Sequence, residues 1–364
     1  MEILKIGNLT ISIPIIQGGM GVGVSLSGLA SAVATEGGVG VISCAGLGLL
    51  YKNSADNYQE AGIFGLKEEL RKAREKTKGV IGVNIMVALT NFADMVKTAI
   101  AEKADIIFAG AGLPLDLPSY LHEDSVTKLV PIVSSARAAR IICDKWQNNF
   151  NYLPDAIVVE GPKAGGHLGY KKENIEDAQY SLEKLLPEII AEVGTFEEKY
   201  NKKIPIIAAG GIYTGEDIYR MLELGASGVQ LGSRFVTTEE CDASPAFKQC
   251  YIDAKKEDIE IIKSPVGMPG RAIFNSFIQR IKEGRTQPKR CSFHCIKTCD
   301  VEKSPYCIMM ALYNAFKGNM KNGYAFAGTN AYRAEKIITV KETIQLLLAE
   351  MKEWMAEKHL FFLM

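Results

Sequence analysis

The chain has 364 residues, enough for one large α/β barrel with an appendage or for roughly two domains of about 150 residues. Apolar residues make up 47% and charged residues 23%, globular proportions that exclude wholesale disorder. Lys plus Arg equals Asp plus Glu at 42 each, so no global field points to nucleic acid or anionic lipid.

The first residues, MEILKIGNLTISIPIIQGGM, lack a cationic stretch followed by an unbroken apolar run and do not read as a signal peptide. No run of about 18 apolar residues occurs, so no membrane span is predicted. The expected compartment is the reducing cytoplasm, where the eight cysteines stay free or bind metal.

Short apolar runs recur along the chain. In order they are IPIIQ (13–17), GVGVIS (38–43), GVIGVNIM (79–86), ADIIFAGAG (104–112), KLVPIVSS (128–135), PDAIVVEG (154–161), IPIIAAGG (204–211) and SGVQLGSRF (227–235). Each is rich in Val and Ile without polar alternation, the mark of parallel strands buried on both faces. Between them, residues 26–36, 66–76, 92–103, 135–146, 182–200 and 215–224 space apolar side chains three or four apart, as amphipathic helices do. Eight strands alternating with helices predict an α/β fold, a (β/α)8 TIM barrel over residues 1–240. An open doubly wound sheet is the alternative.

The connections 44–78 and 162–203 exceed what a crossover helix needs, so both are expected to carry loops over the C-terminal mouth. Residues 241–364 read as a helical, cysteine-containing extension on or near that mouth. Helix-like stretches are expected at 272–283, 308–316 and 340–358. The segment GYAFAGTNAYR (323–333) fits no periodicity, and a lid over the mouth is one reading of it.

Barrel enzymes place their chemistry at the C-terminal strand ends and hold phosphate after strands seven and eight. Those ends read Ala209-Gly210-Gly211-Ile212 and Gln230-Leu231-Gly232-Ser233. Glycine there lets backbone N–H groups approach phosphate oxygens, and Ser233 adds a hydroxyl. Run six ends in Glu160-Gly-Pro-Lys-Ala-Gly-Gly-His-Leu-Gly, which sets His167 in a glycine-flanked loop at the mouth, a group able to exchange a proton near neutrality. His122, His294 and His359 lack that setting. Asn84 ends an apolar strand, where an amide needs a partner, and Gly18, Gly19 and Met20 end run one, where a planar ligand can come close to backbone.

Five motifs in order, PIIQGGMG, GVNIM, EGPKAGGHLG, PIIAAGGI and VQLGSRF, resemble the FMN-dependent barrel flavoproteins that include nitronate monooxygenase (2-nitropropane dioxygenase) and the flavin-type enoyl-acyl-carrier-protein reductase. The resemblance covers roughly residues 10–280. It implies FMN with its phosphate on Gly210, Gly211, Gly232 and Ser233 and its ring near Gly18, Gly19, Met20 and Asn84. Glu160, Gly165, Gly166, Gln230 and Leu231 complete the implied flavin shell, and His167 takes the substrate side.

The implied activity is oxidation of alkyl nitronates with O2 as second substrate. The alternatives are an NAD(P)H-dependent reductase of enoyl thioesters or, from another class, a noncatalytic FMN-binding protein. Glu160 stands where nitronate-oxidising relatives often carry Gln, and Lys163 departs from both branches, which often have an acid there. A small-molecule substrate is expected, with no nucleic acid or membrane partner; a homodimer is left open.

Cys291, Cys295, Cys299 and Cys307 crowd into 17 positions. Spacings of four predict three thiols on one helical face, with Arg290, Lys297 and Lys303 lowering their pKa values. The spacing matches neither paired zinc knuckles nor the common iron–sulfur patterns. Free buried thiols or a redox-sensitive patch, with no metal, are therefore the first reading, and a bound iron–sulfur cluster or zinc is the alternative.

Overall fold

The computed structural model describes residues 3–285, 291 and 293–362. In chain order the elements begin with β1 (Leu4–Ile6), β2 (Leu9–Ile11), β3 (Ile15–Gln17), α1 (Ser27–Thr35), β4 (Val39–Ser43), α2 (Leu47–Leu50), α3 (Tyr58–Lys76), β5 (Val80–Met86) and α4 (Phe92–Ala101). Then come β6 (Ile106–Gly110), β7 (Lys128–Val133), α5 (Ala136–Phe150), β8 (Ile157–Glu160), β9 (Gly166–His167), α6 (Leu182–Tyr200), β10 (Ile206–Ala209), α7 (Gly215–Glu223) and β11 (Gly228–Leu231). The chain closes with α8 (Ser233–Val236), α9 (Pro245–Asp253), β12 (Ile259–Lys263), β13 (Pro269–Ile273), α10 (Ser276–Lys282), α11 (Ile308–Phe316) and α12 (Val340–Phe362).

Eight parallel strands close into a barrel in the order β10-β11-β3-β4-β5-β6-β7-β8, which excludes the open sheet. Each expected strand run supplies one of them. The double burial that made the runs legible divides between two cores. Ile16, Val39, Val41, Phe108, Val130, Val158 and Ile207 point inward, while Ile15, Ile42, Ile81, Val83, Ile157 and Val229 meet the surrounding helices. Leu4, Ile6 and Ile11 join the inner set, so the β1–β2 hairpin plugs the N-terminal end.

Strands β3 and β4 share one ladder pair, Ile16 with Val39. The buried Gln17 side chain prolongs that contact. Its Oε1 accepts from Val41 N at 3.0 Å and its Nε2 donates to Val41 O at 3.3 Å. A buried amide with both ends paired costs little and fixes register. At Gly40 a Cβ would lie 1.8 Å from Ala30 O, so α1 packs backbone to backbone on β4.

The start of α1 is held by two carboxylates from far along the chain. Asp242 accepts from Leu26 N, Leu29 N and Gly28 N at 2.7, 3.1 and 3.0 Å. Glu69 accepts from Ser27 N at 2.8 Å and from the Tyr51 hydroxyl. Glu69 sits in the charge-dense helix α3, yet it is 4% exposed. Arg71, paired with Glu68 and Glu75, keeps to the surface.

After β11 the chain leaves the ring and returns to it. Helix α12 packs on α7 and α1, with Val340, Ile344, Leu347 and Met351 in the main core. At Gly215, the first residue of α7, a Cβ would come within 2.3 Å of Leu347 O, and Gly215 N donates to Glu350 Oε2 at 2.7 Å. The last helix thus fills the eighth place in the outer ring, and the described residues between 241 and 339 form a cap inserted before it. Among the described residues no helix is long and apolar enough to cross a membrane.

Part of the cap differs from expectation. Residues 272–283 are not one helix: β13 runs through Ile273, pairs with β12 on one side and β9 on the other, and α10 begins at Ser276. Asn275 makes the break, its Oδ1 accepting from Phe277 N and Ile278 N at 3.1 Å, an N-cap that starts a helix afresh. Asp242→Ala is expected to destabilise the protein by about 2 kcal/mol, since three α1 N–H groups lose their acceptor. Arg71→Ala is expected to cost under about 0.5 kcal/mol. Urea unfolding of both variants checks the contrast.

Candidate active site

At the C-terminal ends of the strands lies a cavity of about 290 Å3. Every residue singled out from the sequence for the site borders it: Gly18, Gly19, Met20, Asn84, Glu160, Gly165, Gly166, His167, Gly210, Gly211, Gln230, Leu231, Gly232 and Ser233. His122 and His294 do not.

The glycines set how close a ligand can come to the backbone. A Cβ on Gly19 would stand 2.3 Å from the Asn84 Cβ, so the end of β3 and the end of β5 touch only because residue 19 has no side chain. Gly210 and Gly211 have φ of +99° and +86°, a region side chains disfavour. A Cβ at Gly210 would lie 2.7 Å from Gly161 O. Ser233 Oγ accepts from Gly328 N at 2.8 Å, which leaves its own proton to donate into the cavity.

The loop between β8 and β9 is shaped by a residue from the cap. Arg271 on β13 is 4% exposed, and its guanidinium donates to Pro162 O and Ala164 O at 2.5 and 2.8 Å. Burial lowers its pKa, a cost offset by these charge-assisted bonds. β13 also pairs with β9, Gly270 opposite His167 and Arg271 opposite Gly166. His167 is therefore a strand residue held by the cap, where its flanking glycines suggest a loop.

Burial lowers the His167 pKa to about 4, so the ring is neutral at pH 7. Nε2 bonds Ser264 Oγ at 2.7 Å, and Phe326 packs edge-on with ring centroids 5.0 Å apart. Glu160 ends β8 and faces the same cavity; desolvation raises its pKa to about 7. No side-chain hydrogen bond offsets that burial among the described residues. A neutral imidazole and a carboxyl near half-protonation leave this part of the mouth with little fixed charge.

The unexplained segment at 323–333 supplies a wall. Phe326, Ala327, Gly328 and Asn330 border the cavity, Asn330 Nδ2 donates to Gly211 O at 2.6 Å, and Thr329 N donates to Lys163 O at 3.1 Å. It is pinned to both glycine-rich loops. Tyr213, Ile296, Ile308, Met309 and Leu312 also border the cavity and went unrecognised in the sequence, where nothing separates them from ordinary core residues.

The cysteine-rich stretch departs from expectation in two ways. Residues 291–306 contain no helix in their described part, so no helical face aligns the thiols: Lys297 N donates to Ala88 O and Thr90 N to Cys295 O, 2.9 and 3.3 Å, tying the segment to the loop after β5. Burial also pushes the Cys295 thiol up to about 12, away from the reactive range. Lys297 Nζ instead donates to Val87 O, Lys303 pairs with Asp300, and Arg290 lies outside the described residues. All eight cysteines are free, and among the described residues no group of three or more His, Cys, Asp or Glu is arranged to hold a metal.

A closed parallel barrel with glycine-walled strand ends and a histidine at its mouth has the build of a TIM-barrel enzyme. The chain belongs to the nitronate monooxygenase family, whose model matches residues 3–350. It is an enzyme, a flavin-dependent oxidoreductase.

It is 26% identical over 314 residues to a probable nitronate monooxygenase of Staphylococcus aureus, covering 76% of this chain and 79% of that protein. It is 28% identical over 276 residues to the (3aS,4S,5R,7aS)-5-hydroxy-7a-methyl-1-oxo-octahydro-1H-indene-4-carboxyl-CoA dehydrogenase of Mycobacterium tuberculosis, covering 74% of this chain and 66% of that protein. The structure of FabK from Thermotoga maritima superposes with a TM-score of 0.73 at 27% identity, over 96% of each chain. A nitroalkane oxidase from Streptomyces ansochromogenes shares the fold, with a TM-score of 0.72 at 20% identity, covering 94% of this chain and 96% of that one.

Glu160 carries a linked stability effect. Its folded pKa is raised, so folding is favoured by the protonated form and loses that contribution as pH climbs from about 4.5 to about 7. The Tm of the flavin-free Glu160→Gln variant is expected to pull ahead of its parent across that interval. A constant difference would mean the carboxyl is not desolvated.

Proposed function

We propose that the cavity holds FMN and that the enzyme oxidises alkyl nitronates with dioxygen as second substrate. The glycines at 18, 19, 210, 211 and 232 fit a flat, phosphate-bearing group: three of them, Gly19, Gly210 and Gly211, would clash with their surroundings if they carried a Cβ. Gly210, Gly211, Gly232 and Ser233 would hold the phosphate. Gly18, Gly19, Met20 and Asn84 would hold the ring, with Glu160, Gly165, Gly166, Gln230 and Leu231 around it. The chemistry supplied by FMN when bound is acceptance of an electron pair from the organic substrate and its return to dioxygen.

The observation that carries the substrate side is the neutral His167 ring, tethered at Nε2 by Ser264, with no partner for Nδ1 among the described residues. Accepting the α-proton of a neutral nitroalkane would create an imidazolium, which burial disfavours, so the ring serves the nitronate form. With the proton on Nδ1, it donates to a nitronate oxygen. An imidazolium anchor for the anion is disfavoured by burial. Glu160, half-protonated near neutrality, repels an anionic substrate less than an ordinary carboxylate would, and this repulsion grows above pH 7.

A second reading, an NAD(P)H-dependent enoyl-thioester reductase, is favoured by Glu160 itself and by the likeness to FabK. Anaerobic mixing of the yellow protein with a nitronate and, separately, with NADH or NADPH decides between them. Bleaching by the nitronate is expected, with little response to the nicotinamides; the reverse pattern replaces nitronate oxidation with the reductase. His167→Ala is expected to keep its flavin and lose tenfold or more in the rate of substrate-dependent reduction. Unchanged reduction removes His167 from the chemistry.

A further inference from the structure

The chemistry of the cavity leaves the clustered thiols unused. Cys295 is 6% exposed and belongs to an apolar cluster with Phe277, Tyr306 and Tyr324, against which Cys299 and Cys307 also pack. Cys307, Cys291 and Cys299 all stand close enough to Cys295 for their charge to oppose its ionisation, Cys307 the most. The Tyr58 hydroxyl is opposed by Cys295 and Cys307 in the same way, so both sulfurs lie near one phenol.

Backbone bonds bring the two together. His294, at φ +42°, turns the chain between Cys291 and Cys295, and its N–H donates to Cys291 Sγ at 3.4 Å. The bridge between Leu89 and Ile296 and the bond from Thr90 N to Cys295 O fix Cys295 against the loop after β5. Cys307 arrives from the other side, as the residue before α11. Its carbonyl accepts from Ala311 N at 3.0 Å, while its side chain makes no capping bond. That side chain is half-buried, which leaves it open to a small solute.

No basic side chain is committed to these sulfurs, since Lys297 and Lys303 are engaged elsewhere. Neighbouring neutral thiols, one half-buried and one buried, share one ready chemistry, oxidation to a disulfide. We propose that Cys307 and Cys295 form a peroxide-reactive pair, closed by oxidation into a disulfide that ties the start of α11 to the loop after β5.

Cys307 Sγ attacks one oxygen of hydrogen peroxide. The O–O bond breaks, and the other oxygen leaves as water with the Cys307 thiol proton. Cys295 Sγ then attacks the resulting sulfenic sulfur; the S–O bond breaks, and a second water leaves with the Cys295 proton. The two thiols lose one electron pair and the peroxide gains it. Burial sets the order: the Cys295 thiol, pushed up to about 12, is scarcely ionised at pH 7 and makes a poor first nucleophile. Ile296 and Ile308 directly follow the two cysteines and border the cavity, so the bond would be felt at its wall. The pair holds or fails independently of the nitronate reading.

Reduced holoprotein treated with hydrogen peroxide, alkylated in denaturant and digested with trypsin tests it. Cleavage at Lys297 and Lys303 separates the two cysteines, and mass spectrometry is expected to find their peptides joined by a Cys295–Cys307 bond. Cys307→Ser is expected to lose that bond. Cys295→Ser is expected to stop at the Cys307 sulfenic acid, which dimedone traps. Should either variant fail to fold, the map of the unsubstituted protein decides alone. Unchanged thiols, or a bond that omits Cys307, overturns the pair. Iron or zinc held by the reduced protein in about equimolar amount, and released when these cysteines are alkylated, also overturns it by making them ligands.

Discussion

The mouth of this barrel depends on one buried cation. Arg271 reaches from the cap into the loop after β8 and binds two of its carbonyls. The strand it stands on pairs with His167, and its own carbonyl accepts from Ala327 N. A guanidinium suits this task because its planar fork serves several acceptors at once while keeping its charge when buried. The loop after β8 is positioned through that side chain, and the histidine and the cap's glycine-rich segment through the backbone of the same residue and its strand.

Around it the site is electrically quiet. The same desolvation that lowers the His167 pKa raises that of Glu160, so both move toward their neutral forms. Little side-chain charge faces the cavity, and direction is supplied instead by backbone amides, the amide side chains of Asn84, Gln230 and Asn330 and the Ser233 hydroxyl. Such a setting strengthens whatever charge a substrate brings with it, because few competing dipoles are free to reorient.

The barrel was readable because strands buried on both faces carry an unbroken apolar signature, and all eight had one. The hairpin β1–β2 and the strands β12 and β13 were not. They lie outside the doubly buried ring and carry exposed or half-buried positions, as in β1 and β12, so no unbroken apolar run marks them, and β13 opens with Pro269 and Gly270, which suggest a turn. The glycine positions and His167 were legible because each needs a residue type that ordinary packing does not select. Ile296, Met309 and Leu312 were not, since a side chain lining a cavity and one filling a core obey the same apolar pattern. The cysteine spacing suggested a helix that backbone bonds to the β5–α4 loop prevent.

The return of α12 to the ring has a consequence for how the protein is assembled. The chain departs from the barrel after β11 and rejoins it a hundred residues later, so the cap is tethered at both ends. Any rigid-body movement of the cap must therefore bend the chain in two places, after β11 and before α12. During synthesis the cap emerges before the helix that completes the ring. A chain cut short at its C-terminal end loses part of the barrel before it loses any of the cap.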